Sequence, residues 1–186
     1  MHPDTRERLG FLISWYHKMR CSTLLLLDSH SPEDLTWQLN SHLPTAQWIF
    51  AHLAAMEDWR IHRRQRGKAM LDDLFLKAYR PETGWEAARD YPLAGDELHA
   101  MLCAMKRSTD RFLRRVLNGE QTALHGDLLE QLEELIFREF EHMGQIQYLG
   151  LLRDGAASRK QSIRPGRAGL PVWQGTAKPA AKRSRP

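Results

Sequence analysis

The sequence predicts an all-α protein: a four-helix bundle with a long crossover between its second and third helices, followed by a disordered basic tail. Three observations predict it. Apolar residues recur at alternating steps of three and four in four separate stretches, the period of helices that bury one face. No stretch has the alternating or continuous apolar pattern of a strand. Beyond residue 154 the periodicity stops, and Gly, Pro, Ala, Ser, Arg and Lys take over.

The first helix is expected from about Thr5 to Leu27, with Leu9, Leu12, Tyr16, Met19, Thr23 and Leu26 on its inner face. The turn formers of "DSHSPEDL" then break it. The second starts near Pro44, a residue tolerated in a first turn, and runs to about Arg64. Its stripe is Thr45, Trp48, His52, Ala55, Trp59 and His62. A connection of roughly thirty residues follows, long enough to shape a site or lid. It holds a short helical candidate, "AMLDDLFLKAY", and then "RPETGWEAARDYPLAG". The third helix opens after Gly95, where Asp96 and Glu97 favour the N-terminal dipole. Leu98, Met101, Leu102, Met105, Phe112 and Val116 form its inner face, and Gly119 caps its end. The fourth helix covers about Thr122 to Arg153. The expected folded domain is therefore 1–154 and the tail 155–186.

Charge divides along the same line. The tail carries eight Arg and Lys and no acid, so the chain's net +4 less the tail's +8 leaves −4 for residues 1–154. Such a tail is expected to be solvated, with salt-sensitive nucleic-acid binding a less favoured alternative. Cys21 and Cys103 lie far apart without a CxxC partner, and two buried, reduced thiols are expected. "LLLL" at 24–27 is too short to cross a bilayer, and the charged N-terminus precedes no signal-peptide core. No membrane contact and a cytoplasmic location are expected.

Polar residues interrupt two of the apolar seams. Leu128, Leu132, Leu135, Glu139, His142, Ile146 and Leu149 step by four and three along the fourth helix, which aims Glu139 and His142 at the core. His52 sits between Trp48 and Ala55 on the second. A buried carboxylate needs a strong partner or water. A metal ion is one such partner, and Glu–x–x–His on a bundle helix puts both groups on one face. Two His and one carboxylate with open positions suit Fe, Zn or Ni. The plainer alternative has each His bonded to a core neighbour and Glu139 paired with a Lys or Arg. His17, His30, His42, His62, His99 and His125 read mostly as surface or turn residues, His17 being the one whose helix must pack beside the site. Tyr16, Trp48 and Trp59 could line the mouth or simply fill the core.

The segments "PTAQWIFAHLAAMEDWR" at 44–60, "REFEHMGQI" at 138–146 and "SPEDLTWQL" at 31–39 resemble, in order and separation, motifs of the DinB/YfiT-like metalloprotein superfamily. The resemblance touches all four helices but not the tail. It implies a four-helix bundle, often dimeric, with a three-histidine divalent-metal site at one end. Several members are thiol-dependent transferases or isomerases using a low-molecular-weight thiol. His52 matches the first ligand and His142 the third.

The second ligand position holds Arg138, and Met143 replaces the usual basic residue. Guanidinium has no lone pair to offer a metal, and its charge opposes a nearby cation. Three readings follow. Glu139 substitutes as the third ligand; or the site has lost its metal and Arg138 faces an anionic ligand; or Arg138 turns out to pair with Glu134. If Glu139 is not a ligand, it is a candidate general base. Gly144 reads as a place where a neighbouring helix comes close, or as a plain packing glycine. The function expected is a divalent-metal-binding protein, a thiol-dependent transferase or a hydrolase of unknown substrate. The alternative is a metal-free bundle that acts through partners.

Overall fold

The computed structural model of the chain describes residues 2–80 and 93–162, with side chains to residue 156. Most of "RPETGWEAARDYPLAG" and residues 163–186 of the basic segment lie outside the described residues. Among the described residues the structure is helical, without strands. In chain order the helices are α1 (Pro3–Asp28), α2 (Pro32–Thr36), α3 (Ala46–Glu57), a π-helical segment (Asp58–Arg63) that continues α3, α4 (Arg64–Arg66), α5 (Asp73–Tyr79), α6 (Gly95–Leu117) and α7 (Leu128–Ser162).

Local chemistry sets most of the ends. The Ser31 hydroxyl accepts from the Asp34 amide while Asp34 accepts from the Ser31 amide, a capping box for α2. Thr45 caps α3 at the Trp48 amide, 3.2 Å away, and Asp72 caps α5 at the Phe75 amide, 2.7 Å away. Gly67 and Gly119 close α4 and α6 with φ of 69° and 76°, the left-handed conformation that glycine adopts without a Cβ penalty. The fourth predicted helix differs at both ends: α7 begins at Leu128 rather than near Thr122 and runs on to Ser162 rather than stopping at Arg153.

The π-helical segment corrects the inner stripe predicted for the second helix. A turn with i→i+5 bonds is wider and rotates the residues after it relative to the α-helical register. Within this turn Trp59 faces the surface, 39% exposed, whereas His62, which the stripe places inward although its neighbours read as surface or turn, is fully buried. The Asp58 carboxylate holds the following loop against this segment, accepting from the Met70 amide at 2.7 Å.

Cross-helix pairs give the directions. Arg8 meets Glu133 and Thr23 meets Glu139, so α1 and α7 run parallel. His17 with Asp110 and Asp28 with His99 make α1 and α6 antiparallel. Arg64 with Asp127, Arg60 with Glu134 and His52 beside His142 make α3 and α7 antiparallel. Gln47 bonded to the Leu93 carbonyl and Glu57 to Thr109 make α3 and α6 parallel. Parallel neighbours have their adjoining ends far apart, which is why the connection between them is long.

Two apolar clusters fill the interior. One joins α2, α3 and α5 to the N-terminal half of α6 and to Ile146 and Leu149 of α7. The other joins the N-terminal half of α1 to Phe112 and Leu113 of α6 and to Leu128, Leu132 and Leu135 of α7. Between them lies a polar layer with Arg20 from α1, Glu57 from α3, Thr109 from α6 and Glu139 from α7, all fully buried. Cys21 and Cys103 are free thiols but only half-buried, less enclosed than their sequence context suggests.

Candidate functional site

His52 and His142 are brought together. Their rings lie edge to face, 5.2 Å between centroids and 81° between planes. His52 is held from two sides. Trp48, one turn earlier on α3, stacks on it at 4.7 Å with 11° between planes. Its Nδ1 lies 2.7 Å from the Tyr79 carbonyl at the end of α5. A carbonyl only accepts, so Nδ1 carries the proton and the ligating lone pair belongs to Nε2. His142 is half-buried, and its Nδ1 lies 3.0 Å from Oε1 of Gln145 on the same helix. Each ring is thus oriented by an oxygen behind it, the arrangement that sets a histidine's ligating nitrogen forward in metal sites.

The other candidates fall elsewhere. Glu139, expected as third ligand or general base, is fully buried in the polar layer. Its Oε1 lies 2.5 Å from the Thr23 hydroxyl and 3.2 Å from Arg20 Nε. Arg138, the candidate anion-binding residue, turns away to Glu134 at 3.2 Å and Glu141 at 2.9 Å. His17 faces Lys106 and Asp110 on the α1–α6 side. Tyr16 is buried in the polar layer, and Trp59 lies near the surface with the guanidinium groups of Arg63 and Arg80 at 5.7 and 4.9 Å from its ring. Gly144 is exposed, and a Cβ there would meet nothing within 4 Å, so among the described residues it marks no close helix approach. Among the described residues, no three His, Cys, Asp or Glu side chains gather as a group able to hold a metal ion.

No family profile, curated protein or solved structure matches the chain. What the site can do is read from its own groups, and the largest set of them escaped the sequence patterns. In the polar layer Glu57 accepts three bonds: from Tyr16 at 2.6 Å, Thr109 at 2.5 Å and Arg20 Nη2 at 2.6 Å. Those donors identify it as the ionised partner of Arg20. Thr109 has one hydrogen, which goes to Glu57, so the contact of 3.0 Å from His62 Nε2 to the Thr109 oxygen requires Nε2–H. His62 Nδ1 then accepts from Arg66, 2.6 Å away, and the ring is neutral. Burial agrees, pushing the His62 pKa down to about 4 against the pull of Glu57.

Glu139 is the second carboxylate beside one guanidinium. Burial raises its pKa, and Arg20 and the Thr23 bond oppose that shift. Among the described residues its Oε2 and the Nη1 of Arg20 have no hydrogen-bond partner. Burial would lower the Arg20 pKa, but Glu139 and Glu57 more than reverse this and keep it charged. Tyr16 is raised well above the ordinary phenol range by burial and by Glu57. The signal for this layer lay in Glu57 itself, an acid within the otherwise apolar run "LAAME" that a helix buried on all sides must pair.

Proposed function

We propose that the chain is a DinB-like four-helix bundle that binds a divalent metal ion through His52 and His142. The carrying observation is the convergence of two oriented imidazoles from antiparallel helices, 5.2 Å between centroids. Imidazole suits Zn, Ni or Fe, and such an ion would polarise a carbonyl or lower the pKa of a bound water or low-molecular-weight thiol. The activity in keeping with this is thiol-dependent transfer or hydrolysis on an unidentified small molecule, performed by a homodimer. The chain's own part is to orient both rings, through Tyr79 and Gln145, and to keep Arg138 turned from them. Titrating Zn, Ni and Fe(II) into chelator-treated protein tests this. Saturable uptake is expected, at least tenfold weaker in His142→Ala. No uptake, or uptake unchanged in the His52→Ala/His142→Ala double variant, would overturn it.

One observation favours a second reading, a metal-free bundle that acts through partners. Glu139 is committed to Arg20 and Thr23 and does not join the imidazole pair. In this reading the basic C-terminal segment contacts nucleic acid, and binding weakens with salt. A nucleic-acid shift lost on removal of residues 163–186, together with no metal uptake, would select it.

A further inference from the structure

Helix α7 carries a second apolar stripe. Phe137, Phe140, Tyr148 and Leu151 are 63%, 67%, 61% and 71% exposed, on the side of the helix opposite its buried seam. Gly144 lies in the middle of this stripe. A glycine inside a helix costs about 1 kcal/mol against alanine, and among the described residues no neighbour approaches closely enough to require one.

The spacing is symmetric about that glycine. Large apolar residues stand seven and four positions before Gly144, and four and seven positions after it. When two copies of one helix pack antiparallel about a twofold axis, the residue k positions before the axis faces the residue k positions after it. With the axis at residue 144, Phe140 faces Tyr148 of the partner subunit and Phe137 faces Leu151 of the partner subunit. The two glycines then meet at the crossing, where the lack of side chains lets the backbones approach. An unrelated partner would impose no such symmetry on the sequence.

The neighbouring surface fits the same occupant. A groove of about 470 Å³ runs beside Phe137 and Phe140, walled by Phe11, Trp15 and Ile136. It can receive Leu151 of the partner subunit and widens the contact from one helix to two. That breadth is needed to approach the roughly 800 Å² per partner of a stable interface. We propose that this face of α7 binds a second copy of the chain, the two α7 helices crossing antiparallel at Gly144, a dimer being part of the function read above but the metal being no part of this surface.

Sedimentation equilibrium of the full chain should show a monomer–dimer equilibrium. Phe140→Glu should weaken it at least tenfold, with helicity by circular dichroism unchanged. In a Cys21→Ser/Cys103→Ser background, Gly144→Cys should form a disulfide-linked dimer on mild oxidation. Glu141→Cys, exposed but away from the axis, should not. Disulfide geometry requires Cα atoms within about 7 Å, which only an axial position meets in both copies. A monomer up to about 100 μM would overturn the proposal, as would a dimer that neither weakens with Phe140→Glu nor crosslinks at 144. Both readouts are independent of metal uptake.

Discussion

His62 shows how one buried side chain can set a pH limit. Its contacts require the neutral ring, and burial pushes its pKa down to about 4 from an unfolded value near 6.5. The unfolded chain therefore takes up the proton first as pH falls. The stability from neutral burial is fully present above about pH 6.5 and is lost progressively down to about pH 4. From pH 7 to pH 5 the expected loss is about 2 kcal/mol from this group. Chemical denaturation at the two pH values should show it, and His62→Gln should remove that part of the dependence. The helical stripe of the sequence points His62 inward, while its neighbours "RRQR" read as solvated; inside the π-helical turn the stripe prevails.

At the scale of the element, regular repeats were readable and irregular ones were not. The buried seam of α7 holds Leu128, Leu132, Leu135, Glu139, Ile146 and Leu149, all at the positions given by the steps of four and three, with His142 half-buried among them. The end of α6 at Gly119 also follows from the sequence. Two glycines with open space where a Cβ would stand separate propensity from conformation. Gly10 lies inside α1, so Gly10→Ala should raise stability by up to about 1 kcal/mol. Gly119 has φ of 76°, so Gly119→Ala should lower it by about 1–2 kcal/mol. Melting curves of the two variants should move in opposite directions. Equal shifts would show that the backbone at 119 relaxes.

Across the whole molecule, the polar layer crosses all four long helices at one level between the two apolar clusters. Arg20 is the cation at its centre, set against Glu57 and Glu139. Arg20→Met would leave two carboxylates buried without that counter-charge, and a loss of about 3–5 kcal/mol is expected. Replacing Arg20, Glu57 and Glu139 together by apolar residues of similar size should recover most of it, because a buried pair gains little over good packing. If denaturant unfolding shows Arg20→Met within about 1 kcal/mol of the parent, the size of a minor contact, the layer contributes little.

By itself the sequence determined the helical class, the buried faces of the long helices and the chemical identity of the two imidazoles. Those depend on periodicity and residue type, which are local. Only the tertiary structure decided that Glu139 belongs to Arg20 rather than to the histidines, that Arg138 faces Glu134 and Glu141, and that Trp59 leaves the inner stripe for the surface. A charged group takes whichever partner the fold brings within reach, and Arg20 and Glu57 stand 37 residues apart in the chain. Position on a helix face tells which way a side chain points; what it meets there is set by the other helices.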